Sequence, residues 1–187
     1  MDTATFQPLG QRLAVYCGSR QGHHPSYAQM ADSLGRAMAR EGIGLVYGAA
    51  DVGLMGRVAN AVLAEGGSVI GVIPERLVSM EGVHQGLTQL EVVASMHQRK
   101  QRMMDLADGL VALPGGFGTL EEMFEALSWS QLGLHQKRCG LLNVDGFFDP
   151  LVAFLDGAVT AGLLSPSSRR LLSVATDPDA LLVDVLS

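Results

Sequence analysis

Cysteine is almost missing from this chain: only Cys17 and Cys139 occur in 187 residues. Both sit in apolar, strand-like settings with no second cysteine at metal-ligand spacing, so they are expected to be buried free thiols rather than a disulfide or a metal site. Lysine is scarcer than usual too, confined to Lys100 and Lys137. Charged residues make up 17%, against roughly 25% in an average soluble protein. The net charge is −6, so no overall basic field draws polymeric nucleic acid or an anionic membrane to the surface. No stretch reaches the roughly 18 apolar residues of a membrane span, and Met1 to Gly10 lacks the basic start and apolar core of a signal peptide. The expected setting is the cytoplasm.

What is abundant is apolar residues, at 48%, together with 23 glycines. A chain of this length fits one domain with a full core, covering residues 1–187. Short apolar runs recur as strands: Leu13 to Cys17, Gly44 to Gly48, Ser68 to Ile73 stopped by Pro74, Leu90 to Ala94, Gly109 to Leu113, Cys139 to Val144 and Leu171 to Ala175. Helical periods separate them. One starts near Ser26, with Gln29 at capping-box spacing, and presents Tyr27, Met30, Leu34 and Met38 on one face. Others run from Gly53, from about His97 to Ala107, from Leu120 to about Leu132, from Phe148 to Ala161 and from Asp179. Between the third and fourth strands, Glu75 to Gln89 has no clear period and holds Gly82 and Gly86, which suits a lid or binding loop.

About seven βα units predict an α/β fold, a Rossmann-like, doubly wound and mainly parallel sheet. Ligands of such folds sit beyond the carboxyl ends of the strands. The low charge also points to a buried subunit contact.

The richest strand end is Pro114-Gly115-Gly116-Phe117-Gly118-Thr119-Leu120-Glu121-Glu122. Its glycines let backbone N–H groups approach an anion, and the following helix contributes the positive end of its dipole, so a phosphate cradle is expected. Thr119 and Glu122 have the spacing of a reciprocal capping box, which would leave Glu122 without a chemical role. Against that, Glu121 and Glu122 place two carboxylates beside the cradle, where at least one suits a sugar hydroxyl or a water. Arg99, Lys100 and Arg102 form a basic cluster near another strand end, either a solvated helix face or phosphate ligands. Gly48, Gly53 and Gly56 do not have dinucleotide spacing, and no acidic residue follows at the distance a ribose needs, which argues against a nicotinamide or flavin cofactor. The histidines at 23, 24, 84, 97 and 135 lack metal spacing and read as surface or supporting residues. Ser19 lacks a nucleophile elbow and reads as a turn hydroxyl bonding ligand or backbone.

Together with Met96-His97-Gln98-Arg99-Lys100, Tyr16-Cys17-Gly18-Ser19, Gly53-Leu54-Met55-Gly56 and Trp129-Ser130-Gln131-Leu132-Gly133, this stretch resembles the signatures of the Lonely Guy family. These are cytokinin riboside 5′-monophosphate phosphoribohydrolases, formerly labelled lysine decarboxylases. The resemblance covers most of the chain. It implies a Rossmann-like homodimer that hydrolyses the N-glycosidic bond of a nucleoside 5′-monophosphate, giving free base and ribose 5-phosphate without metal or cofactor. It also implies Arg99 and Glu122 as the catalytic pair and Gly116, Phe117, Gly118 and Thr119 as the cradle. Leu120, Lys100, Glu81, Glu121 and Ser128 complete the substrate contacts, with Ser19 nearby. The chain departs from the family at Ala49 and Ala50, usually glycines, at Phe117, commonly Tyr, at Arg20, often Ser, and at Ser128, usually Thr. These changes bear on the base pocket. A second reading is a nucleotide or molybdenum-cofactor carrier on the same scaffold.

Overall fold

Residues 10–187 are described by a computed structural model, except for the side chains of Met80 and Glu81. The reading of the first residues as free of a leader falls, apart from Gly10, outside that range. The strands are β1 (Arg12–Tyr16), β2 (Gly44–Tyr47), β3 (Val69–Pro74), β4 (Gln89–Val93), β5 (Gly109–Ala112), β6 (Cys139–Leu142) and β7 (Leu172–Ala175). The helices are α1 (Pro25–Arg40), α2 (Gly53–Ala64), α3 (Glu75–Glu81), α4 (Met96–Leu106), α5 (Phe117–Gln131), α6 (Asp149–Thr160), α7 (Pro166–Arg169) and α8 (Pro178–Leu186). All the strands pair in parallel, in the order β4-β3-β2-β1-β5-β6-β7. The expectation of a mainly parallel, doubly wound sheet holds, and the sheet is parallel throughout.

Strand alternation divides the core into two layers. Leu13 and Val15 of β1 face one way, with Leu45, Leu34, Val58 and Leu181, against α1, α2 and α8. Ala14 and Tyr16 face the other way, with Val46, Met103, Met123 and Leu155, against α4, α5 and α6. Burial of both faces explains why these strands read as unbroken apolar runs. The α1–α2 crossing is tight at Gly35, where a Cβ would lie 2.6 Å from the Ala61 methyl and 2.7 Å from the Val58 carbonyl oxygen. Cys17 and Cys139 are buried and unpaired. No described helix is long and apolar enough to cross a membrane.

Three local expectations fail. α1 starts one residue before Ser26, with His24 at the cap and Pro25 in the first turn, so the Ser26–Gln29 box does not form. Proline fits this position because its missing N–H would have no helical partner anyway. The segment from Glu75 is not irregular: it opens with α3, and the stretch after it is pinned down. There the Ala49 carbonyl accepts the His84 amide at 3.0 Å, and Ala50 bridges Val83. Finally, α5 begins at Phe117 rather than Leu120, which puts Glu122 in its second turn.

Candidate functional site

The strand order reverses direction between β1 and β5, and the carboxyl ends of these two strands open a crevice between their outgoing loops. The loops are tied together where they leave the sheet: the Gly18 amide donates to the Pro114 carbonyl at 3.0 Å. Behind them, Gly53 adopts φ 61° and packs so closely that a Cβ would lie 2.2 Å from the Ser19 carbonyl carbon. Only glycine serves here, on both conformational and steric grounds. Gly115 is constrained by space alone, with Thr119 Oγ1 2.1 Å from where its Cβ would stand. Gly116 and Gly118, by contrast, face open space.

Gly116 caps α5, and the first intrahelical bond runs from the Leu120 amide to the Gly116 carbonyl at 3.1 Å. The amides of Gly116, Phe117, Gly118 and Thr119 therefore precede the helical ladder and carry the positive end of its dipole. Thr119 is the buried third residue of the helix, not its cap. Glu122 lies a further turn along, so the capping-box explanation of this carboxylate falls away.

A cavity of about 340 Å³ joins this helix start to α4 and to the ends of β1 and β2; Arg99, Glu121, Glu122, Ser19, Tyr16 and Gly48 are among its walls. Arg99 is 6% exposed. Its Nη2 donates to the Gly48 carbonyl at 3.0 Å, and its Nε is buried without a protein partner. Arg99 can sit here only while Gly48 lacks a side chain, because a Cβ would fall 1.8 Å from that Nη2. Burial pushes the Glu122 carboxyl up to about 7. Arg99 and Lys100 pull it down, while Glu121 and Glu125 push it further up. A cation and a carboxyl poised near neutrality thus share one cavity with a row of outward amides, a combination suited to an anionic substrate and to proton transfer. A second cavity, about 410 Å³, adjoins it through Gly18, Ser19 and Gly116 and is walled by Tyr27 and Phe147. These two rings meet edge to face at 5.7 Å.

The family model described as "Possible lysine decarboxylase" matches residues 55–185. The cytokinin riboside 5′-monophosphate phosphoribohydrolase of Rhodococcoides fascians is 45% identical over 186 residues, covering 99% of this chain and 94% of that protein. The chain belongs to the Lonely Guy family. A member from Arabidopsis thaliana with the same enzyme name is 46% identical over 172 residues, covering 92% of this chain and 79% of its own. Among solved structures, the molybdenum cofactor binding protein of the phototrophic bacterium Rippkaea orientalis superposes with a TM-score of 0.67 at 25% identity, covering 90% of this chain and 91% of that one.

The residues expected from the Lonely Guy resemblance divide in the structure. Arg99, Glu122, Glu121, Ser19, Gly116, Phe117, Gly118 and Thr119 line the one cavity. Leu120 does not: its side chain packs on the core layer against α4 and α6, and its amide is spent within the helix. Lys100 is paired with Glu121 and Glu125 of α5 and is not among the cavity walls. Arg102 leaves the basic cluster altogether, forming a fork on Glu91 of β4 at 2.5 and 2.9 Å. Ser128 lines a separate cavity with Phe124 and Leu164. The side chain of Glu81 lies outside the described residues. His84 is buried rather than on the surface, bonded to Asn60 at 3.1 Å and to the Gly86 amide at 3.0 Å.

The family departures also find a place. Ala49 takes φ 67°, a left-handed conformation in which glycine costs less. Leu77 of α3 and Met103 of α4 complete the apolar side of the cavity. The sequence carries no signal for either: nothing sets Met103 apart from the other methionines, and the segment around Leu77 has no period. Lys137, the other lysine, donates to the Met104 carbonyl, away from the crevice.

Proposed function

We propose that this crevice hydrolyses the N-glycosidic bond of cytokinin-type nucleoside 5′-monophosphates, releasing the free base and ribose 5-phosphate. The observation that carries the reading is the meeting, in one cavity, of the buried Arg99 and the half-buried Glu122 with the unladdered amides of Gly116 to Thr119. Relatives about 45% identical over most of their length carry the corresponding enzyme name.

In this mechanism the amides hold the 5′-phosphate and fix the ribose over Glu122, supplying orientation. As the bond to the base breaks, the ribose becomes oxocarbenium-like, and the Glu122 carboxylate stabilises that charge and takes a proton from the attacking water. The bonding electrons leave with the base, whose nitrogen receives, through solvent, the proton that Glu122 took from water, and the hydroxyl ends on the sugar. Arg99, with an unpartnered Nε, holds the substrate and supports developing negative charge.

The apolar residues exposed on edge strand β4, Leu90 and Val92, together with Met96 at the start of α4, support assembly as a homodimer. Two buried, unpaired thiols fit a reducing cytoplasm. The deciding experiment follows free base by chromatography, from adenosine monophosphate and its N6-isopentenyl analogue, for the native chain and for Glu122→Gln. Base from the native chain, lost in the variant, is the expected result. Tight stoichiometric binding without turnover would replace this reading with that of a carrier.

A further inference from the structure

α5 presents an electrostatic contradiction. Its first turn offers amides to an anion, yet its next turns carry Glu121, Glu122 and Glu125. Glu121 is half exposed and lies on the wall of the same cavity as those amides. Glu121 and Glu125 stand four apart on one helix face, where like charges repel. Left alone, they would oppose the phosphate that the helix terminus is built to attract.

Lys100 resolves this. It follows Arg99 on α4, and successive helical positions point about 100° apart. Arg99 accordingly turns toward Gly48 and the cavity, and Lys100 toward α5. The lysine side chain is only 9% exposed, and its Nζ donates to Glu121 and, at 3.0 Å, to a Glu125 oxygen. Burial works against its charge, but the two carboxylate bonds more than offset this and hold Lys100 above the usual lysine range.

We propose that Lys100 is a positioning residue rather than a substrate ligand: clamped between Glu121 and Glu125, it cancels one of their two charges and draws both carboxylates to itself, so that an anion can occupy the helix start. This deepens the proposed function and rests on its placing of the phosphate. The competing possibility is that Lys100 abandons both carboxylates and grips the phosphate itself. The two differ in what happens when the carboxylates are removed as well.

The test measures ribose 5-phosphate binding by titration calorimetry for four proteins, each checked for its folding transition. Lys100→Met, which leaves two uncompensated carboxylates, should bind about tenfold more weakly than the native chain. Adding Glu121→Gln and Glu125→Gln to that variant should restore binding to within about threefold of native. Lys100→Arg should stay close to native. Should Lys100→Met fail to fold, the triple variant and the arginine variant still decide. A triple variant as weak as Lys100→Met, or weaker, overturns the proposal in favour of direct grip. Failure of the native chain to bind ribose 5-phosphate overturns it also. Because this readout needs no turnover, absence of base release from a native chain that binds would defeat the hydrolase reading alone.

Discussion

Gly48 and Arg99 are a matched pair: the carbonyl of one anchors the guanidinium of the other, and the guanidinium fills the space a side chain would need. Gly48→Ala is therefore expected to expel Arg99 and lower base release by about a hundredfold or more, with the helical circular dichroism signal unchanged. Initial rates at saturating nucleotide check this. Glu122 makes two predictions through its raised carboxyl. In the proposed role of base it must be ionised, so kcat/KM should fall about tenfold per pH unit below an inflection near 7. A pH–rate profile reads it directly. The same shift affects stability. A carboxyl that is easier to protonate in the folded state stabilises fully at pH below its unfolded value, and that contribution is lost as pH rises through about 7. Glu122→Gln lacks this loss and should be more stable than the native chain at pH 8 by about 1–2 kcal/mol, with the gap closing near pH 4 in urea titrations.

At the scale of elements, α4 is held at its start by Ser95, whose Oγ accepts the Gln98 amide at 3.2 Å, while the Gln98 side chain accepts the Ala94 amide at 2.9 Å. α8 has a comparable cap in Asp177, which accepts the Ala180 amide at 2.9 Å. Ser95→Ala and Asp177→Ala should each cost about 1 kcal/mol of unfolding free energy. Only Ser95→Ala should also reduce kcat/KM, because α4 carries Arg99 and Lys100. Paired denaturation and rate measurements separate the two. Helix existence was legible in the sequence wherever the apolar period was long, as in α1 and α4. Starts were not. Thr119 has the chemistry of a cap, but Gly116, with non-helical backbone, takes that place, so α5 extends back to Phe117 and buries the threonine. Ser26 offers the same chemistry, yet the helix starts ahead of it, at Pro25. α3 escaped because seven residues are too few to display a period.

Across the whole molecule, alternating strands and helices made the doubly wound fold readable, and strand-end glycines located the crevice. Partner choice was not readable, because it depends on which helix lies opposite. Lys100 and Arg102 are two residues apart in sequence yet reach carboxylates on α5 and β4 respectively. Stability depends on the last element as well. Leu181, Leu182 and Val185 of α8 are buried, and Gly140 of β6 is tightly covered by Leu181. Each such side chain is worth about 1.5–3 kcal/mol, and a domain holds only about 5–15 in all. Removing residues 178–187 should abolish the cooperative thermal transition, as scanning calorimetry would show.

The pairing of β1 with β5 sets an order in time. The Arg12 amide and the Asp108 carboxylate that binds it at 2.8 Å are separated by 96 positions, and parallel pairing over such a span is slow to form. A growing chain carries β1 and β2 long before β5 is made, and through that interval β1 lacks one neighbour and the crevice lacks a wall. The amides of α5 follow later still. Nucleotide can therefore stabilise only a chain whose synthesis has passed α5, and the ligand acts as a stamp on finished molecules rather than as a guide to folding ones.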